Sequence, residues 1–565
     1  MRIFWIKLFF SIFFFCILVR LFYWQVVRAD FLQAQAEGQH FTNTKVQASR
    51  GNIQFSDGFI LASSSPSFSL FAQPKLIPKD KIVETSYFLA KALAEDKGLV
   101  EPLAKDFINK LSQDLYWVSL KKNISYEYKK IIDDLNLSGI GFDTSSNRFY
   151  PEGSSSAHIL GFVGSDSKGD NKGYFGIEGY YDGELKGLSG SIRHEKDAVG
   201  LPILIGNFFQ SDAKNGKDLI TNIDRSVQLI LENALKTGQE KYGAKKASGI
   251  IMDPKTGAIL ALASFPNYDP DKYFNFPKEF YKNPIVADQY EPGSTFKVLV
   301  MAAALNEDLI RPDSKCDICF GPVSIGGFSI RTWNNQYRPD SSMTDVIIHS
   351  DNIGMVFVSK KLGIDKFYEY LESFGFGSST DIDVEDESSP DIRPKKDWGE
   401  IDLATASFGQ GIAVTPIQMV RAVAVIANGG VLVEPHIVKK IQDSKSTYEI
   451  KPKIIKQIIK SSAADMVKEM MVSAVNEGEA KFTRIKGFKI AGKTGTAQIP
   501  VAGHYDANKT IASFVGFAPA DDPKFVMLIR YDEPSSSIFG AETAAPTFFE
   551  ISRQLFNYYK IAPTE

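Results

Sequence analysis

Tyr290-Glu291-Pro292-Gly293-Ser294-Thr295-Phe296-Lys297-Val298-Leu299-Val300-Met301-Ala302-Ala303-Ala304-Leu305 runs from a turn into a helix. Pro292-Gly293 stops regular structure, and the residues from Phe296 onward are strong helix formers. Ser294 is therefore expected at a helix N-terminus, where free backbone N–H groups and the helix dipole favour a developing negative charge. Lys297 follows three residues on, on the same face and one turn along. An N-capping serine with a surface lysine is the plain alternative, but it does not explain a lysine inside a mostly apolar helix. Near a positive helix end and partly desolvated, such a lysine has a lowered pKa and can serve as base for a serine nucleophile.

The S-x-x-K spacing alone decides nothing, because it recurs at Ser119/Lys122, Ser165/Lys168 and Ser211/Lys214, in polar loops or beside other lysines. K-T-G occurs at Lys236, Lys255 and Lys493. The first reads as a helix C-cap ending at Gly238, and the second as the turn of a hairpin spanning Ser248 to Ala263. Lys493-Thr494-Gly495-Thr496 differs: Ile490-Ala491 before it and Ala497-Gln498-Ile499 after it put it on a strand. Gly495 there leaves space for another backbone, and an extended peptide can pair with such an edge. Between the two motifs lies Ser350-Asp351-Asn352. S-x-N also occurs at Ser145/Asn147, so the order Ser294, Ser350, Lys493, each in suitable local structure, singles out one set.

Outward from this set, the length of 565 residues exceeds one hydrophobic core. The 44% hydrophobic and 23% charged composition excludes disorder, and 64 basic against 67 acidic side chains, with no Lys/Arg-aromatic run, argues against nucleic acid. Three cysteines exclude a disulfide framework, and Cys316-Asp317-Ile318-Cys319 reads as a loop pair, free or locally bridged. Six histidines without H-E-x-x-H point away from zinc chemistry, so no metal or cofactor is expected.

Residues 3–27 are dominated by Phe, Ile, Leu, Val and Trp, and Lys7 and Arg20 can snorkel from the ends of the uncharged run. With no small-residue cleavage site after it, the stretch reads as an uncleaved signal anchor with the N-terminus inside. A helix is expected from about Ile82 to Leu111. Later, Asp224 reads as the cap of a helix, Phe525 to Tyr531 as a strand returning across the Asp521-Asp522-Pro523 turn, and Thr543 to Tyr559 as a closing helix. This is an α/β (α+β) layered domain with an antiparallel sheet flanked by helices. The expected division is 1–28 for tail and anchor, 29–220 for an elongated mixed pedestal domain, and 221–565 for the domain carrying the chemistry.

With these residues in place, the chain resembles the class B penicillin-binding proteins along nearly its whole length. Gln25-Val26-Val27, Arg50-Gly51-Asn52-Ile53, Asp57-Gly58, Leu61-Ala62, Arg148-Phe149-Tyr150-Pro151, Gly176-Ile177-Glu178 and Leu185-Lys186-Gly187 carry the likeness. So do Tyr290-Glu291-Pro292-Gly293-Ser294, Gly409-Gln410-Gly411 and Thr415-Pro416. Phe55 departs from it, standing where the family usually has an acidic residue. The resemblance implies a penicillin-recognising serine transpeptidase fold and a monofunctional peptidoglycan D,D-transpeptidase. In it Ser294 is the nucleophile, Lys297 its base, and Ser350 with Lys493 the proton path to the leaving amine. Asn352 holds the substrate amide, while Lys493, Thr494 and Thr496 bind the terminal carboxylate, with Gly495 between them. The backbone N–H groups of Ser294 and Thr496 form the oxyanion hole. The implied partners are peptidoglycan stem peptides, β-lactam antibiotics and, for the septal type, a SEDS-type glycosyltransferase with other division proteins. Ser350-Asp351-Asn352-Ile353-Gly354-Met355 and Ser513-Phe514-Val515-Gly516-Phe517-Ala518-Pro519 resemble the septal rather than the elongation enzyme. A D,D-carboxypeptidase or β-lactamase would need a second base for water; Glu385, Asp386 and Glu387 read instead as a solvated acidic loop.

Overall fold

The apolar N-terminus forms one helical stretch, Arg2–Val27, long and apolar enough to cross a membrane. The computed structural model describes residues 1–94, 96–167, 169–195, 208–501 and 504–563. These divide into two units. Residues 1–50 and 186–216 hold this helix and a three-stranded sheet of Phe41–Val46, Gly190–Glu195 and Phe208–Ser211.

The second unit, residues 51–185 and 217–565, carries the motifs. One sheet joins strands between Ile53 and Phe149 to Asp218–Thr221 and onward to Val438–Gln442 and Thr447–Glu449. Phe55, the departure from the family pattern, is buried in the core beside Leu61 and Leu219, so an apolar contact occupies that place. The buried Arg148 guanidinium donates to Glu178 at 2.6 Å and to the Gly51 carbonyl at 2.7 Å, tying this sheet to the 176–180 turn. The single helix expected over Ile82–Leu111 is two, Ile82–Leu93 and Val100–Leu111. Asp96 interrupts it by accepting a hydrogen bond from the Gly98 N–H, a short acidic side chain capping a new turn.

The second sheet is five-stranded and antiparallel. Its strands are β1 (Lys246–Met252), β2 (Ile259–Phe265), β3 (Ala491–Val501), β4 (His504–Ala518) and β5 (Phe525–Asp532), in the order β2-β1-β5-β4-β3. Helices α1 (Arg225–Tyr242), α2 (Lys297–Asn306), α3 (Met343–Ile348), α4 (Asn352–Ser373), α5 (Pro416–Ala427), α6 (Ser461–Glu477) and α7 (Ala544–Tyr558) surround it. The unbroken apolar run in β5 follows from burial on both faces. Met527, Ile529 and Tyr531 belong to the core formed with Leu231 and Leu235 of α1 and Phe548 of α7. Val526 and Leu528 belong to the core formed with Met301 of α2 and Val420 of α5.

The predicted hairpin is present, with Gly257 at φ +79° in its turn. The first K-T-G is not a C-cap. Helix α1 runs through Gly238 and ends at Gly243, which takes the left-handed conformation at φ +61°. Gly238 is instead a contact glycine: a Cβ there would lie 1.8 Å from the Tyr531 hydroxyl. Cys316 and Cys319 form a disulfide, the locally bridged alternative.

Candidate active site

The nucleophile turn is held on three sides. A tight 3₁₀ turn, Gly293–Phe296, opens α2, with Gly293 at φ +56°. The Gly293 N–H donates to the Gly409 carbonyl at 3.0 Å, Glu291 accepts from the Gly411 N–H at 3.0 Å, and the Thr295 hydroxyl donates to the Pro292 carbonyl at 2.7 Å. A Cβ at Gly409 would lie 2.2 Å from the Gly293 carbonyl oxygen. On the other side, a Cβ at Gly495 would lie 2.8 Å from Thr295 Cγ2 and 3.3 Å from the Pro292 carbonyl oxygen. Gly495 thus makes room for the chain's own Ser513 and Thr295 side chains, with the Pro292 carbonyl of the nucleophile turn behind them. Gly540 closes onto the same strand, its missing Cβ 2.3 Å from the Gly495 carbonyl oxygen.

Every residue of α2 from Lys297 to Leu305 is buried, so Lys297 is a buried amine rather than a surface one. Its Nζ donates to the Ser350 carbonyl at 2.6 Å, to Ser350 Oγ at 3.3 Å and to Asn352 Oδ1 at 2.8 Å. Burial, reinforced by the Lys493 charge and opposed by Asp351 and Glu479, lowers its pKa to about 7. The direction expected from the sequence holds, with the expected desolvation as the first cause and a second lysine, rather than the helix end, beside it. Ser350 sits between α3 and α4 at φ +55°, a conformation rare for a non-glycine residue. Asp351 follows it and caps α4, accepting from the Ile353 and Gly354 N–H groups. Asn352 also donates from Nδ2 to the Arg331 carbonyl at 3.0 Å, so its amide is fixed at both ends.

The third motif lies on β3, at the end of the strand order. Lys493 is buried, and burial lowers its pKa while Glu479 raises it. Its Nζ donates to Thr494 Oγ1 at 3.1 Å, and that hydroxyl donates in turn to Glu479 Oε2 at 2.8 Å. Thr496 Oγ1 accepts from the Gly540 N–H at 3.1 Å. No acceptor for its own proton is found among the described residues.

Ser294, Ser350, Asn352, Thr494 and Thr496 line one cavity of about 420 Å³, with the buried Lys297 linked to it through Ser350 and Asn352. Glu479, Gln498 and an edge-to-face pair, Trp333 and Phe539 with centroids 5.8 Å apart, also line it. No motif announces these residues. Gln498 lies on β3 two residues past Thr496, whereas Glu479, Trp333 and Phe539 come from loops brought together by the fold. The discarded copies stay apart: Lys255 pairs with Asp522, and Ser119 and Lys122 lie on the Val118–Ile124 strand. Lys168 lies outside the described residues. The acidic stretch is solvated at Asp386, which is exposed, but not at Glu385 and Glu387, which are half-buried. Glu385 accepts from the Phe175 N–H, and Glu387 from the Thr380 N–H and hydroxyl, both at 2.6 Å. Burial raises the Glu387 pKa, and its carboxylate braces the loop away from the cavity lining.

An antiparallel sheet flanked by helices, with a serine at a buried helix start facing an edge strand, defines the class of serine acyl-transferring, penicillin-recognising proteins. Residues 247–553 match the penicillin binding protein transpeptidase domain, and residues 45–221 the penicillin-binding protein dimerisation domain. The chain belongs to the class B penicillin-binding proteins. It is 34% identical to stage V sporulation protein D of Bacillus subtilis over 559 residues, covering 98% of this chain and 85% of that protein. It is 29% identical to peptidoglycan D,D-transpeptidase FtsI of Escherichia coli over 551 residues, covering 97% and 90%. Among solved structures, penicillin binding protein 2X from Streptococcus thermophilus superposes with a TM-score of 0.74 at 26% identity, covering 92% of this chain and 80% of that one.

Proposed function

We propose that this chain is a peptidoglycan D,D-transpeptidase acting through an acyl-enzyme on Ser294. The observation that carries this reading is the buried Lys297 amine. A pKa of about 7 leaves much of it neutral at neutral pH, at the head of the helix that presents Ser294. Ser294 Oγ attacks the carbonyl of the penultimate D-Ala of a stem peptide, and Lys297 takes its proton. The oxyanion lies at the backbone N–H groups of Ser294 and Thr496. Ser350, bonded to Lys297 and acting with Lys493, passes a proton to the leaving amine, and the terminal D-Ala departs. Lys493 and the Thr496 hydroxyl take the terminal carboxylate, with Thr494 supporting Lys493, and Asn352 borders the peptide amide. An amine from a neighbouring stem peptide then attacks the acyl-enzyme, restoring the Ser294 hydroxyl and forming the cross-link.

In this reading the Arg2–Val27 helix is a single-pass anchor with its N-terminus in the cytoplasm, and the catalytic domain works outside the membrane. Residues 29–220 serve as the pedestal and 221–565 as the transpeptidase domain. The septal type, with a SEDS-type glycosyltransferase and other division proteins as partners, is favoured by the Ser350–Met355 and Ser513–Pro519 stretches. The test is to incubate the full chain with benzylpenicillin and locate the adduct by peptide mass spectrometry. A stable adduct on Ser294, absent from Ser294→Ala, is expected; rapid turnover of a chromogenic β-lactam overturns the reading in favour of a hydrolase. A tagged copy imaged at midcell supports the septal assignment, and one spread along the side wall refutes it.

A further inference from the structure

Two buried lysines, Lys297 and Lys493, stand behind one cleft whose lining includes their partners Ser350, Asn352 and Thr494, and the Lys493 charge makes the Lys297 proton easier to lose. For the reaction proposed above they need opposite states: Lys297 neutral to accept a proton, Lys493 charged to hold a carboxylate. The difference has to come from their surroundings. Lys297 is surrounded by neutral acceptors, the Ser350 carbonyl, the Ser350 hydroxyl and the Asn352 amide oxygen. Lys493 instead meets the Thr494 hydroxyl, whose proton goes to Glu479. An ammonium and a carboxylate are thereby joined through one hydroxyl, a charge-assisted arrangement at the wall of the cleft. Glu479 carries the acidic side chain among the residues lining that cleft.

We propose that Glu479 is a positioning residue of the acylation site, fixing the Thr494 hydroxyl and keeping Lys493 an ammonium beside Lys297. The groups that face this array are Lys493 and Thr494 from β3, Lys297 from α2 and Asp351 at the cap of α4. On its own segment Glu479 has the exposed Glu477 and, two residues on, Lys481. Its negative charge favours the protonated form of both lysines, and it reaches Lys493 through the Thr494 hydroxyl. The Thr494 proton is committed to Glu479, so a bound carboxylate draws on Lys493 and Thr496.

This inference rests on the Ser294 acylation reading, and one experiment separates the two. The second-order rate of Ser294 acylation by benzylpenicillin is measured against pH for the full chain in detergent, as wild type, Glu479→Gln and Glu479→Asp. Gln keeps an acceptor for Thr494 but removes the charge, so both lysines lose protons at lower pH. The acid limb, set by Lys297, and the alkaline limb, set by Lys493, then both move to lower pH. The ratio of the rate at pH 6 to that at pH 9 rises at least about threefold. Asp keeps the charge and holds that ratio near wild type, even at a reduced rate. A Glu479→Gln profile at the wild-type position, however low its amplitude, overturns the proposal and leaves Glu479 a structural hydrogen-bond partner. If Glu479→Gln fails to fold, as judged by its melting transition, Glu479→Asn compared with Glu479→Asp makes the same test. A wild type that takes no label on Ser294 removes the transpeptidase reading itself.

Discussion

Replacing Lys297 by Met removes a buried amine while keeping most of its volume, and its effect on stability has a sign set by proton linkage. The folded-state pKa of about 7 lies below the usual 10.5. Between those values the unfolded chain binds more protons than the folded one, so wild-type stability rises with pH across that window. The penalty for burying the ammonium is fully present below pH 7 and is lost as pH climbs towards 10.5. Lys297→Met has no such proton and no such slope, and it also relieves Lys493 of a like charge. Its stability relative to wild type is therefore greatest near pH 6 and falls by about 2 to 3 kcal/mol by pH 9. The hydrogen bonds lost to Ser350 and Asn352 cost about 1 kcal/mol each and offset the gain, but this loss does not depend on pH over the range. Melting of the full chain in detergent, followed by tryptophan fluorescence at pH 6, 7, 8 and 9, reads the difference directly. Labelling by a fluorescent penicillin in the same samples should be lost. A melting-temperature gap that stays constant from pH 6 to 9 refutes the claim that burial holds Lys297 near neutrality.

Gly495→Ala drives a methyl to within 2.4 Å of Ser513 Oγ and 2.8 Å of Thr295 Cγ2. The displaced nucleophile turn should slow penicillin acylation by about 100-fold with little loss of melting temperature. Gly238→Ala puts a methyl against the Tyr531 hydroxyl, in the core between α1 and the sheet, and should cost about 1 to 3 kcal/mol in denaturant unfolding while leaving labelling per folded molecule unchanged. Glu178→Gln leaves the Arg148 guanidinium buried without its counter-charge, so a loss of about 3 to 5 kcal/mol is expected, read as a lower unfolding midpoint.

What the sequence disclosed was whatever physics keeps local. The Pro292-Gly293 stop, the helix that follows and the Asp253–Gly257 hairpin turn each depend on residues a few positions apart, and all appear where expected. The strand carrying Lys493 was legible because apolar residues flank it on both sides. The remainder depends on what packs against what. Gly238 looks like a helix terminator until Tyr531 is seen across from it. Glu387 looks solvated until Thr380 donates to it twice. The break between Leu93 and Val100 is decided by one side-chain hydrogen bond that competes with the helix. Glu479, Trp333 and Phe539 come from three separated loops, and nothing in their own neighbourhoods distinguishes them from surface residues.

Gly293, Gly409, Gly495 and Gly540 mark the places where backbones meet around the nucleophile, and a methyl at Gly409, Gly495 or Gly540 collides with a backbone or side-chain atom less than 2.5 Å away. Gly293 and Gly409 add a left-handed conformation that other residues adopt only at a cost. Under selection by a β-lactam these positions offer no viable route of escape, since changing them damages the wall enzyme as much as the drug's fit. Variation is left with the rim, at Trp333, Gln498, Ile538 and Phe539, where side chains border the cavity without holding the turn. A lineage evolving resistance should therefore record its history at those rim positions while the glycine contacts stay unchanged.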